Sequence, residues 1–335
     1  MNDDVYIQGI DMIKFGRFPN LSVPELASES ILLALDDANL NMGDIEAFYC
    51  GNIKEVNRMV GQKTLQLVGQ TGIPIVNCTN ACATGATAFR EGWMSIKAGL
   101  YDVVLVSGVE KMGTGLLGGD SGEIGIPVEG LLGSQTMPAI FAEAGMEHSR
   151  NYGTTFEQFA KISVKNHHHS TMNPKSRYQI ETPLEEVMTS EMIAYPNTKL
   201  MCSANVDGSA AAVLVSAKKV KELGMKRSIK VKASILTSDP YDERNLAMPN
   251  INTLTRNAAN QAYEMAGLGP EDLDLVELHD CFASAEMLHY GNLGLCKDED
   301  AGNLVDEGYF DIDGKLPVNL SGGLLAKGHP TGATG

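Results

Sequence analysis

The sequence predicts an α/β protein with a largely parallel sheet. Two observations carry this prediction: short apolar runs alternate with segments of helical periodicity, and the alternation resumes later in the chain. The apolar runs of the first block lie at 5–10, 45–51, 73–78 and 102–110, and its helical segments at Ser22–Ala38 and Thr84–Lys97. Alternation of this kind is typical of βαβ units, in which helices cover the faces of a parallel sheet.

The regular pattern stops after Gly113 and resumes near Ala211. Residues 114–204 are first rich in glycine and then polar with helical patches, so we interpret them as an insertion that covers one end of the sheet. The second alternating block predicts strands in IKVKASILTS, LDLVELHDCF and LPVNLSGG, with one helix from about Thr253 to Ala266 and another that ends near Leu293.

Two short repeats indicate that the two blocks are related. Residues 37–46, DANLNMGDIE, match residues 265–274, MAGLGPEDLD, at three positions in register, and the tetrapeptide TGAT occurs at 84–87 and again at 331–334. Two matches in the same order suggest a duplicated βαβ unit. We therefore predict an N-terminal half over 1–230, which includes the insertion 114–204, and a C-terminal half over 231–335. Because ligands of such sheets bind beyond the carboxyl ends of the strands, we expect the two halves to share a site.

Charge and cysteine usage narrow the function classes. The chain carries 26 Lys and Arg against 42 Asp and Glu, a formal charge of −16, which disfavours nucleic acid and anionic membrane surfaces as partners. No apolar run reaches the roughly 18 residues that span a bilayer. The six cysteines form no CxxC pair, and the N-terminus has no signal-peptide pattern, so we expect reduced thiols and a cytoplasmic protein.

Cys82 is the first candidate for chemistry. It lies in VNCTNACATGATAF, between a predicted strand and a helix that begins near Thr84, where the positive end of the helix could stabilise a thiolate. Its small neighbours Ala81, Ala83 and Gly85 leave room for a ligand. The alternative, which Cys82 by itself favours, is a buried cysteine that acts as a small hydrophobe; Cys78, still within the strand, fits that alternative better.

Two further segments place polar side chains at strand ends. LHDCF follows a predicted strand and contains His279 and Cys281, where a histidine could donate a hydrogen bond to an oxyanion and a thiol could move a proton. NLSGGLLAKGHPTGATG holds His329 between a glycine and a proline ahead of a helix start. A histidine satisfied by backbone and an ordinary glycine-rich turn are the respective alternatives.

Other patterns point away from metal and nucleotide cofactors. Three consecutive histidines, 167–169, cannot all face one ion from a helix, so we interpret them as a solvated loop. GDSGE at 119–123 is similar to the nucleophile loop of chymotrypsin-like proteases, which are disulfide-bearing β-barrels, and we reject that interpretation. No GxGxxG stands in the context of a dinucleotide site. We expect neither a metal nor a redox cofactor.

Together, NACATGATA around Cys82, the tetrapeptide HDCF and GGLLAKGHPTGATG resemble the nucleophile, oxyanion and general-base loops of the thiolases, in the same order and at similar separations. The form HDCF, in place of NEAF, is similar to that of sterol-carrier-protein-type thiolases and their bacterial and archaeal acetyl-CoA acetyltransferase-like relatives. The resemblance covers the whole chain. It implies a layered αβαβα arrangement of two similar halves, with residues 114–204 as the loop domain.

The resemblance also implies roles. Cys82 would form an acyl-enzyme with an acyl-CoA, His329 would take the proton of Cys82, and His279 would stand where NEAF has its asparagine. NEAF thiolases use a second cysteine in a C-terminal CxG loop, which this chain does not contain, and Cys281 would take over its proton transfer. From this difference we expect the C-terminal half to be truncated before its last strands.

Substrates and partners follow from the same resemblance. CoA thioesters would be substrates in thiolysis or in the reverse Claisen condensation, and the chain would form a homodimer or a dimer of dimers. A relative of the family that works with a small CoA-binding partner of OB-fold and zinc-ribbon type, as a C-acyltransferase or retro-aldolase, is the alternative. A non-catalytic scaffold subunit is a third hypothesis, which the presence of all four reactive side chains disfavours.

Overall fold

The computed structural model describes residues 4–113, 136–238, 240 and 251–335. Its contacts divide the chain into two compact units. The first unit comprises Met1–Gly113, Val206–Leu236 and Pro330–Gly335, and the second comprises Thr114–Asn205 and Thr237–His329. The halves 1–230 and 231–335 were predicted from repeats in the sequence, whereas these units are defined by contacts. The predicted halves therefore stay a prediction.

Strands and helices are numbered in chain order. The strands are β1 (Val5–Met12), β2 (Ala47–Gly51), β3 (Ile75–Cys78), β4 (Val103–Glu110), β5 (Met192–Ala194), β6 (Asn197–Thr198), β7 (Gly208–Ser216) and β8 (Ile229–Val231). The helices are α1 (Val23–Ala38), α2 (Val60–Val68), α3 (Thr84–Lys97), α4 (Met137–Tyr152), α5 (Phe156–Thr171), α6 (Leu184–Thr189), α7 (Ala217–Glu222), α8 (Ile251–Ala266), α9 (Ala283–Asn292) and α10 (Ala301–Asp306). Within the described ranges, each helix is too short or too polar to cross a membrane.

The first unit contains a six-stranded sheet in the order β3-β2-β4-β7-β1-β8. β2 runs parallel to β3 and β4, whereas β7 runs antiparallel to β4 and β1, and β8 antiparallel to β1. The predicted α/β class is confirmed, and the sheet is mixed because β7, the strand after the insertion, and the edge strand β8 run against their neighbours. β7 begins opposite the residue where β4 ends, Gly208 against Glu110, so it returns along β4 without the crossover that parallel pairing requires.

Helix α1 shows why the first unit folds as the periodicity predicts. Ser22 and Glu25 form a capping box: the Glu25 N–H donates to Ser22 Oγ, and the Ser22 N–H donates to the Glu25 carboxylate. Leu26 and Ile31, fully buried, lie on the apolar side of the helix in the core that also includes Leu105 of β4. The predicted boundaries of α1 and α3 are confirmed to within one residue.

The second unit is mainly helical in its described part. Helix α5 begins at a capping box of Thr155 and Gln158, and its buried side meets α9 in a core with Phe159, Ile162, Met287, Tyr290 and Phe310. The rings of Tyr290 and Phe310 stack with centroids 3.8 Å apart. β5 and β6 form a separate two-stranded sheet in this unit.

The strands predicted in LDLVELHDCF and LPVNLSGG are wrong in extent. Val276 and Val318 form one isolated parallel bridge, and neither segment continues as a strand. Asn319 has φ 57°, which takes the backbone out of the extended conformation directly after Val318. The next donor, the Leu278 N–H, is then satisfied by the Asn319 side-chain oxygen at 2.9 Å rather than by a backbone carbonyl. In IKVKASILTS only Ile229–Val231 is a strand.

Candidate active site

Cys82 lies in a tight turn of the first unit, between β3 and α3. The turn is closed by Thr84, whose hydroxyl donates to the Ala81 carbonyl at 2.7 Å and accepts from the Asn80 N–H at 2.7 Å. Ala81 has φ 44°, the left-handed region that a residue with a Cβ seldom adopts. A strained residue of this kind commonly marks a functional turn. The half-buried thiol of Cys82 therefore stands next to the start of α3, as the sequence predicts.

Burial decides the protonation state of this thiol. It raises the pKa of Cys82 above the ordinary thiol value, and a hydrogen bond to its own backbone opposes that shift only in part. Because its pKa is raised, Cys82 is a thiol at neutral pH and needs a base to react. Cys78 ends β3 within the core, where burial raises its pKa to about 11, in agreement with a structural cysteine.

The residues that follow His329 pack in the first unit against two glycines. A Cβ on Gly85, in the first turn of α3, would lie 2.6 Å from the carbonyl oxygen of Thr334. A Cβ on Gly108 of β4 would collide with the carbonyl oxygen of Gly332. Both positions need glycine because the backbone of Pro330–Gly335 approaches so closely. The TGATG segment is thereby fixed beside the helix that follows Cys82.

In the second unit the structure brings two of the predicted site residues together. The imidazole rings of His279 and His329 meet edge to face, with centroids 5.2 Å apart and an angle of 82°. His279 follows the Val276–Val318 bridge, and the His329 N–H donates to the carbonyl oxygen of Ala204 at 2.9 Å. The backbone of His329 is thus tied to Ala204, and His279 lies shortly after the bridge at Val276.

Both imidazoles are neutral at neutral pH. Burial lowers the pKa of His279 to about 4. Burial, with His279 and Lys327 nearby, also holds the pKa of His329 well below its usual value. A neutral imidazole has one N–H donor and one nitrogen lone pair. Between them, His279 and His329 can therefore donate a hydrogen bond and accept a proton.

Cys281 is buried at the start of α9. Its side chain is 5% exposed and packs in a small cluster with Phe282, Ala285 and Leu324, to which Phe141 and Cys202 add partly buried contacts. The Cys281 carbonyl accepts from the Ser203 N–H at 2.9 Å, which fixes the backbone directly after His279 and Asp280. All six cysteines of the chain are free thiols.

The interpretation of 167–169 as a solvated loop is wrong. The three histidines lie in α5, with His167 and His169 buried and His168 exposed. Successive residues of a helix point in different directions. Three consecutive histidines therefore include some that face the core and one that faces solvent. Burial lowers the pKa of His167 to about 4, which keeps it neutral within the core. The GDSGE segment lies outside the described residues.

Four polar residues in and around the HDCF loop, Lys165, Asn166, Asp280 and Glu286, are all buried, and the sequence reasoning gave none of them a role. Two features could have shown them. Asp280 is part of the quoted tetrapeptide, and Glu286 is the acidic residue of a helix that is otherwise largely apolar or small. Because a buried charge needs a partner, each of them implied a second polar residue elsewhere in the core.

Comparison with known proteins shows the family of the chain. The family model described as "Thiolase, N-terminal domain" matches residues 5–192, more than half of the 335-residue chain, and "Thiolase C-terminal domain-like" matches residues 242–334. Sterol carrier protein 2 of Oryctolagus cuniculus is 38% identical over 99% of this chain and 64% of its own length. The chain therefore spans less than two thirds of that relative.

A shorter relative and a solved structure complete the comparison. Acetyl-CoA acetyltransferase of Methanothermobacter thermautotrophicus is 36% identical over 99% of this chain and 88% of its own length. A solved structure described as Ltp2-ChsH2(DUF35) aldolase superposes with a TM-score of 0.78 at 23% identity, over 97% of this chain and 86% of the other, which shows a common fold. On the family models and these relatives, the chain has the thiolase fold and belongs to the thiolase family.

Proposed function

We propose that the protein is an acyl-CoA C-acyltransferase that cleaves 3-ketoacyl-CoA with free CoA, or runs the reverse Claisen condensation, through an acyl-Cys82 intermediate. The observation that carries the proposal is the placement of Cys82 in a strained turn at the start of α3 in a chain of the thiolase family. CoA and its thioesters are then substrates, and the proposed chemistry requires neither a metal nor a redox cofactor.

The first half-reaction begins with proton transfer from Cys82. Because burial raises the pKa of this thiol, a base must act, and we assign that role to the neutral imidazole of His329. The thiolate attacks the C3 carbonyl of the 3-ketoacyl-CoA, and the N–H of His279 donates to the oxyanion that forms. The C2–C3 bond then breaks, the acyl group stays on Sγ, and the Cys281 thiol protonates the acetyl-CoA enolate.

The second half-reaction restores the enzyme. A CoA thiol, deprotonated by the Cys281 thiolate, attacks the acyl-Cys82 thioester, and acyl-CoA leaves. The Cys82 thiolate recovers its proton from the His329 imidazolium, so each residue ends in its starting state. In condensation the same steps run in reverse, with Cys281 removing the α-proton of acetyl-CoA.

A C-acyltransferase or retro-aldolase that needs a small CoA-binding partner is the second candidate. The solved structure that shares this fold and is described as an aldolase motivates it. The four reactive side chains Cys82, His279, Cys281 and His329 favour the acyltransferase, since a retro-aldolase would not need them together. We further propose that the protein is cytoplasmic, in line with its six free thiols, and that it forms a homodimer or a dimer of dimers, as the resemblance to thiolases implies. Light scattering gives the mass of the assembly, and purification from the native host shows whether a small partner is stoichiometric.

Product analysis tests the proposed reaction. The purified chain is incubated with acetoacetyl-CoA and CoA, and we expect two acetyl-CoA for each acetoacetyl-CoA consumed. The Cys281→Ala variant should still be acylated on Cys82 but should lose exchange of acyl-CoA α-protons with deuterated water. Consumption of acetoacetyl-CoA without acetyl-CoA, or full α-proton exchange in Cys281→Ala, would contradict the assignment.

A further inference from the structure

Two carboxylates share one buried polar cluster in the second unit. Asp280, between His279 and Cys281, and Glu286 of α9 are both 0% exposed. The side-chain N–H₂ of Asn166 on α5 bridges them, donating to Asp280 Oδ2 at 2.8 Å and to Glu286 Oε2 at 2.7 Å. Removal of two carboxylates from water is so unfavourable that the fold tolerates it only where their oxygens are hydrogen-bonded.

Glu286 is held from four sides. Lys165 Nζ lies 2.7 Å from Glu286 Oε1, and the Tyr290 hydroxyl donates to the same oxygen at 2.6 Å. Asn319 Nδ2 donates to Glu286 Oε2 at 2.9 Å, alongside the bond from Asn166. Glu286 is thereby a rigid, fully bonded support for the Asn166 amide that reaches Asp280.

Asp280 connects two loops of the proposed active site. Its Oδ1 accepts from the Leu324 N–H at 2.6 Å, and its Oδ2 accepts from the Leu325 N–H at 3.3 Å. Both donors belong to the π-helical turn Gly323–Lys327, two residues before His329. Gly323 has φ 56°, and any Cβ there would collide with the Asp280 carboxylate, so turn and carboxylate fit each other closely.

We propose that Asp280 is a positioning residue, which fixes the loop of His279 and Cys281 to the turn that leads into His329, with Asn166 and Glu286 as its support. This inference rests on the proposed function, since it assigns Asp280 a role in the reaction of those three side chains. Asp280 does not touch substrate in this account. It acts by keeping donor and base within the few tenths of an ångström that catalysis requires.

The hydrogen-bond pattern makes Asp280→Asn a sharp test. Both Asp280 oxygens accept from N–H groups, so either orientation of an asparagine amide turns an N–H₂ toward a donor. The substitution preserves volume and loses the link. Asn166→Ala removes the bridge while leaving both carboxylates, and it carries the test if Asp280→Asn does not fold. Ser163→Ala is the matched control: Ser163 is buried on the same helix and donates to the Leu200 carbonyl at 2.5 Å, away from the carboxylates.

The experiment measures thiolysis of acetoacetyl-CoA by the wild type and the three variants, with thermal unfolding beside it. We expect Asp280→Asn to lower kcat by about 10- to 100-fold, the range for a misplaced catalytic group, and to leave KM within about twofold. Asn166→Ala should lower kcat in the same direction by a smaller factor. Ser163→Ala should lower the unfolding temperature by a few degrees and leave kcat at the wild-type value.

The outcomes separate this inference from the function on which it rests. An inactive wild type would overturn the proposed function. If the wild type is active, a wild-type kcat in Asp280→Asn would overturn only the positioning role. If Asp280→Asn does not fold, a wild-type kcat in a folded Asn166→Ala would do the same. Equal losses of kcat in Ser163→Ala and Asp280→Asn at equal losses of unfolding temperature would also overturn it, because stability alone would then explain the effect.

Discussion

Lys165 and Glu286 form a buried ion pair, with Nζ and Oε1 2.7 Å apart and both side chains at most 6% exposed. The ammonium also donates to the carbonyl oxygen of Val318 at 2.8 Å. The Lys165 side chain thus connects α5, α9 and the segment that bridges to Val276. The charge of Lys165 makes it possible for the carboxylate of Glu286 to be buried at the centre of the cluster.

Removal of the ammonium should destabilise the protein strongly. We expect Lys165→Met to lower the free energy of unfolding by about 3–5 kcal/mol, the usual effect of leaving one partner of a buried ion pair alone. The double variant Lys165→Met/Glu286→Gln should regain part of the loss, because glutamine keeps an acceptor and carries no charge. Denaturant unfolding of the two variants checks this, and a double variant no more stable than the single one would contradict it.

A methyl group on Gly108 should displace the segment after His329. Gly108→Ala forces a Cβ onto the Gly332 carbonyl, so we expect a loss of about 1–3 kcal/mol and faster amide exchange at Ala333 and Thr334. Gly9→Ala is the matched control, since its Cβ would lie 2.5 Å from the backbone N of Ala38 in α1 instead. Hydrogen exchange by mass spectrometry distinguishes them. Equal acceleration at Ala333 and Thr334 in both variants would count against the close packing of the segment.

Stability should fall as the pH falls below 6.5. An unfolded histidine binds a proton near pH 6.5, whereas burial lowers the pKa of folded His167 to about 4. Between these values the unfolded state binds more protons, so acidification favours unfolding by up to about 1.4 kcal/mol per pH unit for each such group.

The variant His167→Phe removes one titrating group from this window. It keeps a ring to stack on Tyr178, whose centroid lies 5.7 Å from that of His167. We expect a flatter dependence of the unfolding free energy on pH between about 4 and 6.5. His168→Gln, at the exposed neighbour on the same helix, is the control for loss of an imidazole. Equal flattening in both variants would show that burial of His167 is not the cause.

Loss of the cap on α5 should affect stability without affecting chemistry. Thr155 Oγ1 accepts from the Gln158 N–H at 3.2 Å, and Thr155→Ala removes that bond. We expect the free energy of unfolding to fall by about 1 kcal/mol and kcat to stay at the wild-type value. Denaturant unfolding and thiolysis kinetics measure both. A large fall in kcat would contradict this, because it would mean that the start of α5 affects the positions of the proposed reactive loops.

Helices α1 and α3 of the first unit were predicted well because hydrophobic periodicity and, in α1, a capping residue, which are local features of the sequence, indicate where they begin and end. The periodicity and Ser22 gave the start of α1, and the helix that follows Cys82 begins at Thr84 as expected. Antiparallel β7 was not predictable from periodicity, because the direction of a strand depends on where a long insertion returns the chain. The truncated strands near His279 depend on one torsion, φ 57° at Asn319, which an asparagine permits but does not require.

Motifs in the sequence singled out the proposed reactive residues, but no motif singled out the buried polar residues around them. Cys82, His279, Cys281 and His329 stand in quoted tetrapeptides or loops, whereas Lys165, Asn166 and Glu286 lie in ordinary helical sequence. They are buried by contacts with residues far away in the sequence. Asn166 and Glu286, for example, are 120 residues apart. The buried side of the helix that carries His167 could not be read from three consecutive histidines for the same reason.

The mass of the protein after incubation with acetyl-CoA tests the acyl-Cys82 intermediate most directly. The account predicts that one acetyl group is added to the wild type, that peptide mapping places it on Cys82, and that Cys82→Ala gains none, whereas Cys78→Ala is acetylated like the wild type. An unmodified wild type, or an acetyl group that persists in Cys82→Ala, would contradict it.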